Sequence, residues 1–167
     1  MQKKVNRKGF TLIELIIVIA IIAILAAAIF VAIDPARRLN ESRNARRYSD
    51  VNTILEAVVK YQVDNEGTHY TEVAGMTAGT YYQIGTAASG CDSGCTAQTT
   101  AAACVDLSSI GTNYLGAVPS DPNTGTDAET DYYILRDSNG AITVGACDTD
   151  GEGAGGNGSA PTIELTR

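Results

Sequence analysis

Phe10 to Ile33 reads FTLIELIIVIAIIAILAAAIFVAI, a run of 24 residues in which Glu14 is the only charge, and its reading decides the architecture of the chain. At about 1.5 Å per residue a helix of this length reaches roughly 36 Å, more than the ~30 Å hydrocarbon core of a bilayer. The run therefore predicts a membrane-spanning helix. A carboxylate within such a segment costs about 2.5–3.5 kcal/mol on insertion scales, so Glu14 calls for a cationic partner or a proton.

Working outward toward the amino terminus, Lys3, Lys4, Arg7 and Lys8 crowd the octet MQKKVNRK before Gly9. A short basic stretch ahead of an apolar run is a targeting leader and does not belong to the fold. Two plainer readings compete. A secretory signal peptide cut after Ala26-Ala27-Ala28 expects an apolar region of about 7–15 residues, shorter than this one and without a carboxylate at its start. A simple single-pass anchor accounts for the length but gives Gly9 and Glu14 nothing to do.

Gly9-Phe10-Thr11-Leu12-Ile13-Glu14 behind a basic leader resembles the processing site of prepilins, the precursors of type IV pilins and type II secretion pseudopilins. The resemblance implies that a prepilin peptidase cuts between Gly9 and Phe10 on the cytoplasmic face and methylates the new amine of Phe10. It also implies a homo-oligomeric helical filament, an inner-membrane assembly platform and a pilin fold. Physical reasoning agrees: the amine on Phe10 of one subunit could neutralise Glu14 of its neighbour. A buried pair of this kind sets register, because a displaced subunit leaves both charges unpaired.

The chain has 167 residues, enough for one anchor and one globular domain of ordinary size. Without the leader, eight basic residues face nineteen acidic ones, a formal net charge of −11. From Tyr61 onward only Arg136 and Arg167 oppose fourteen Asp and Glu. An acidic head of this kind argues against nucleic acid as a partner and for an outward-facing domain able to attract cations. Cys91, Cys95, Cys104 and Cys147 all lie in the head. In an extracytoplasmic domain four cysteines suggest two disulfides, with three connectivities open, whereas the spacing lacks the paired knuckles of a zinc site.

Arg37, Arg38, Arg43, Arg46 and Arg47 follow the membrane segment, so counting charges does not orient it. The leader's processing motif and the acidic, cysteine-bearing head do. The chain is expected as a single-pass protein of the cytoplasmic membrane before assembly and in an extracytoplasmic filament afterwards. The arginines read as a solvated face with i,i+4 pairs (Arg37 with Glu41, Arg46 with Asp50, and separately Glu56 with Lys60), and lipid headgroups are plausible partners at the membrane boundary.

Asp34-Pro35 interrupts the helix, either as a kink or as an N-cap with Pro at the first helical position. Pilins resembling this chain often carry a Pro nearer the middle of the membrane segment. From residue 34 to 67 the pattern is amphipathic, with Tyr48, Val51, Leu55, Val58 and Gln62 on one stripe, Ile54, Val59 and Val63 beside it, and Gly67 as a stop. In the head, residues 68–167, Thr80 to Ile84 reads as a strand or ordered loop and Val105 to Leu115 as containing a short helix. Asp131–Arg136 and Ala141–Ala146 flank Asp137-Ser138-Asn139-Gly140 as a hairpin, and Thr162–Thr166 adds a strand. Gly151 to Ser159, GEGAGGNGS, reads as flexible loop. The expected class is α+β: a long helix laid on a small antiparallel sheet, with residues 1–9 as leader and 10–33 as the membrane and filament-core helix.

Little in the chain suggests catalysis. His69 is the single histidine, and no Ser or Thr is paired with a base at informative spacing, so no enzymatic activity and no organic cofactor are expected. Asp121, Asn123 and Asp127 place oxygens at alternate positions, which could supply a hard cation such as calcium. Pro119, Asp121 and Pro122 resemble the calcium-binding loop of major type II secretion pseudopilins, although Asp, Pro, Asn and Gly also make ordinary turns. Three functions follow: a filament subunit, a secretion or competence pseudopilin, or a tethered cation-binding protein that never polymerises.

Overall fold

The computed structural model describes residues 9–167; of the expected leader, residues 1–8 lie outside the described residues. Two helices separated by one residue lead the described chain: α1 (Leu12–Ile33) and α2 (Pro35–Asp64). Asp34 ends one and begins the other. A following proline disfavours the right-handed helical region, and Asp34 instead adopts φ +47° in the left-handed region, which Asp tolerates better than most residues. Pro35 then starts α2, as the cap reading anticipates.

The head begins after α2 stops at Asp64. Gly67, at φ +86°, donates its N–H to the Gln62 carbonyl and turns the chain away. A single turn, α3 (Thr71–Ala74), follows, which the sequence pattern did not suggest. Four antiparallel strands then run in order β1 (Tyr81–Gln83), β2 (Tyr132–Arg136), β3 (Ile142–Ala146) and β4 (Glu164–Thr166). The β2–β3 hairpin pairs Tyr132 with Ala146 and Arg136 with Ile142, closed by Gly140 in the left-handed region.

One face of this sheet lies on α2. Val51, Ile54, Leu55, Ala57 and Val58 of the helix pack with Ile134, Ile142 and Val144 of the sheet, with Ile163 just before β4, and with Ile84, Leu107 and Leu115 from the loops. On the opposite face the Tyr133 ring lies over Gly145, where a Cβ would come within 2.3 Å of it. The α+β architecture is the pilin-like one expected.

Several local expectations change. Val105 to Leu115 forms turns, not a helix. Val105 is bridged to Ile84 in extended backbone, and Gly111 at φ +108° cannot continue a right-handed helix. The apolar residues of that stretch fill the core instead. Residues 151–159 are a folded loop held against α2, with a 3₁₀ turn at Ala154–Gly156. Tyr48 and Val63, at the ends of the apolar stripe, are exposed, while Asn44 and Arg47 are buried.

Candidate assembly site

None of the 22 residues of α1 is buried. Leu25 is 57% exposed and Ile24 70%, so the most apolar element of the chain has no part of its own head packed on it. By length and composition α1 is able to cross a membrane.

At its start, Thr11 and Glu14 form a reciprocal cap. The Thr11 N–H and hydroxyl each donate to Glu14 Oε2 at 2.7 Å, and the Glu14 N–H donates to Thr11 Oγ1 at 3.3 Å. Two of the unpaired amides at the helix start are thereby satisfied. The carboxylate also sits where the helix dipole favours negative charge. Among the described residues no Lys or Arg is paired with Glu14. Phe10, 91% exposed, precedes the cap, and Gly9 has open space around it. The Gly9–Phe10 bond is thus outside the helix, next to the one acidic residue of the apolar run.

The other end of α1 is anchored differently. Asp34 Oδ1 accepts from the Arg37 amide at 3.4 Å, and Oδ2 accepts from the Gly155 amide at 2.7 Å, joining the helix junction to the glycine-rich loop. About two and three turns further, Asn40 Nδ2 donates to the Gly151 carbonyl at 2.8 Å and Asn44 Nδ2 to the Asp150 carbonyl at 2.7 Å. The loop's close approach needs glycine: a Cβ at Gly153 would come within 2.4 Å of Gly158 Cα. Below this clasp the Arg47 guanidinium, 1% exposed, is gripped by both Asp121 oxygens, by Asp150 and by the Asn44 amide oxygen.

Asp121 therefore faces inward. Its carboxylate accepts from Arg47 Nε at 2.5 Å and Nη2 at 3.1 Å, and from the amides of Asn123 at 2.8 Å and Thr124 at 3.2 Å. Burial raises the cost of its charge, but the Arg47 and backbone hydrogen bonds outweigh that and hold its pKa below the ordinary aspartate value. The cation that Asp121 holds in this structure is a guanidinium. Asn123 and Asp127, the other residues expected around calcium, are exposed. Among the described residues no three His, Cys, Asp or Glu side chains form a group that could hold a metal ion.

Sequence reasoning placed Arg47 on a solvated face, yet its spacing to Val51, Ile54 and Val58 runs four, three, four, which is the spacing of the buried stripe. The pairs Arg37–Glu41 and Arg46–Asp50 form at 2.7 and 3.6 Å, whereas Lys60 lies over the Tyr114 ring, 5.6 Å from its centroid, and not on Glu56. All four cysteines are paired, Cys91 with Cys104 and Cys95 with Cys147, fastening the loop before β2 to itself and to the end of β3.

Comparison with known proteins places the amino-terminal features in a family context. Residues 4–30 match the family described as the prokaryotic N-terminal methylation motif. These findings support the type IV pilin family. A stretch of 74 residues is 40% identical to the type IV wide pilus major component PilA4 of Thermus thermophilus. That stretch covers 44% of this chain and 55% of the relative, so the chain spans about half the length of the curated protein it matches. No solved structure matches the chain. The likeness to type IV pilins thus rests on the amino-terminal motif and on this partial match.

Proposed function

We propose that the chain is a structural subunit of a type IV pilus-like filament, stored in the membrane as a precursor, cut between Gly9 and Phe10 and polymerised through α1. The observation that carries this reading is an apolar helix with no buried residue and with its single carboxylate at the amino-terminal end. A surface of that kind is stable in lipid or against copies of itself. In the filament the Phe10 amine of one subunit would meet Glu14 of the next. The head, held by two disulfides, would face outward. The prepilin peptidase and the inner-membrane assembly platform belong to the same proposal, and calcium at the Asp121–Asp127 turn is the part of the sequence reading with least support, since a calcium ion on Asp121 would have to displace a buried arginine.

Mass spectrometry of the protein recovered from assembled material tests the maturation step. The expected amino terminus is N-methylated Phe10, and Gly9→Val should leave uncut precursor in the membrane. An intact leader in assembled fibres would overturn the reading. Cut and methylated protein that never forms fibres would favour the tethered binding protein.

A further inference from the structure

Three loop segments meet beside β1 and leave a cavity of about 340 Å³. The Gly85 N–H donates to the Val105 carbonyl, and the Thr86 N–H and hydroxyl both donate to the Asp127 carbonyl, which draws residues 84–86, 105–108 and 127–130 together. A Cβ at Gly85 would collide with the Ala128 carbonyl, so this approach depends on glycine. Ile84, Leu107 and Val118 give the cavity its apolar lining, and Asp106 and Asp127 are its acidic residues. Neither is in an ion pair among the described residues. The head's own cations are placed elsewhere. Arg136 donates to the carbonyls of Val73, Ala74 and Met76, Arg167 follows β4 at the opposite edge of the sheet from β1, and Lys60 lies over the Tyr114 ring. An apolar lining with uncompensated carboxylates suits a cation carried on an aliphatic stem.

α2 offers such a group. The Arg46 side chain is 61% exposed and reaches only Asp50, at 3.6 Å, whose Oδ2 also accepts from the Tyr132 hydroxyl at 2.9 Å. Ser42, Ala45 and Ser49 beside it are small and exposed, so another molecule can approach closely. The height of the cavity along α2 follows from two contacts: Lys60 donates to the Asn113 carbonyl and Arg47 holds Asp121. Residues 116–118 of the cavity wall therefore lie level with the middle of α2, near Thr53. At 1.5 Å per residue, Arg46 stands roughly 11 Å closer to α1.

Building on the filament reading, we propose that Arg46 of one subunit enters the Asp106–Asp127 cavity of a second copy displaced by roughly 11 Å along α2. The stem of the arginine lies along the apolar lining and its guanidinium meets the carboxylates. Charge complementarity selects this occupant. From Tyr61 onward the head carries fourteen acidic residues against two basic ones, so head meeting head is repulsive, whereas the arginine face of α2 is attractive. The two surfaces are different parts of the chain, which makes the contact heterologous, and with an axial displacement it repeats as an open helix without closing into a ring. It would set the spacing of the heads, separately from the pairing of Phe10 and Glu14 along α1.

The test is electron microscopy of fibres from cells producing variants, together with photo-crosslinking from a photoreactive phenylalanine analogue in place of Ala117, an exposed residue of the cavity wall. Arg46→Gln, and Asp106→Asn combined with Asp127→Asn, should each lower fibre number about tenfold or more, with precursor cleavage and membrane residence unchanged. Arg46→Glu combined with Asp127→Lys should recover fibres relative to either change alone. Arg38→Gln, on an arginine that shares Glu41 with Arg37, should leave fibre number unchanged. Crosslinked dimers should join position 117 to residues 42–50 of another copy. Fibres of unmodified number in both Arg46→Gln and the Asp106→Asn, Asp127→Asn variant would overturn the contact and leave the filament reading standing, as would crosslinks that avoid residues 42–50. An equal loss in Arg38→Gln would reduce the effect to general charge and also defeat it. No fibres from the unmodified protein would defeat the contact and the filament reading together. Should the cavity variant fail to fold, Arg46→Gln and the crosslink from position 117 decide.

Discussion

α1 and α2 are adjoining helices with opposite relations to the head. α1 is nearly all apolar and wholly exposed; α2 carries five arginines and supplies the core, including a buried arginine. Polarity alone would rank their burial the wrong way round. α1 has no buried residue while α2 is completed within the molecule, and the proposed function covers α1 with lipid or other subunits. Asp34 marks the change, capping α2 and holding the Gly155 amide of the head.

The largest effect that should follow from this contrast lies on the α2 side. Asp121→Ala leaves the Arg47 guanidinium buried with half its counter-charge, and breaking a buried pair costs about 3–5 kcal/mol. Thermal or denaturant unfolding of the full chain in micelles measures it. The same pair gives a pH dependence. Because the folded-state pKa of Asp121 is depressed, its contribution is complete above the unfolded value of about 3.9 and is lost as pH falls through the lower folded value. Acid destabilisation in that range should be shallower in Asp121→Ala.

Much of this contrast was legible beforehand. The spacing of Val51, Ile54, Leu55 and Val58 announced a buried helix face, and the hairpin, its turn and the strand near residue 164 followed from alternation and turn chemistry. The motif matched over residues 4–30 is local in sequence and so open to reading, and cleavage between Gly9 and Phe10 belongs to the proposed function. Arg47 was not, since its partners Asp121 and Asp150 lie 74 and 103 residues away, and charge by itself suggests solvent. Glycine content made residues 151–159 look flexible, but the same glycines allow the loop's backbone to close on itself and on α2.

A matched pair of leucines sharpens the comparison at somewhat smaller magnitude. Leu55→Ala in the core should cost about 2–5 kcal/mol. Leu25→Ala, on exposed α1, should change head stability by less than about 0.5 kcal/mol in micelles. Equal costs would mean that α1 and α2 are completed in the same way. Smaller again, Asp34→Ala removes the α2 cap and its bond to Gly155, with an expected loss of about 0.5–2 kcal/mol. Hydrogen exchange should place the loosening at residues 35–38 and 151–157, with the β2–β3 hairpin unchanged.

The most direct test of the idea that α1 is completed by its neighbours is electron microscopy of cells producing Glu14→Leu. The substitution makes α1 more apolar, so membrane residence should persist, and precursor level and cleavage at Gly9 should match wild type. In the assembled state it removes the anionic partner of the next subunit's Phe10 amine, a loss of about 3–5 kcal/mol repeated at every contact. The account predicts few or no fibres. Fibres of wild-type number and length would contradict it.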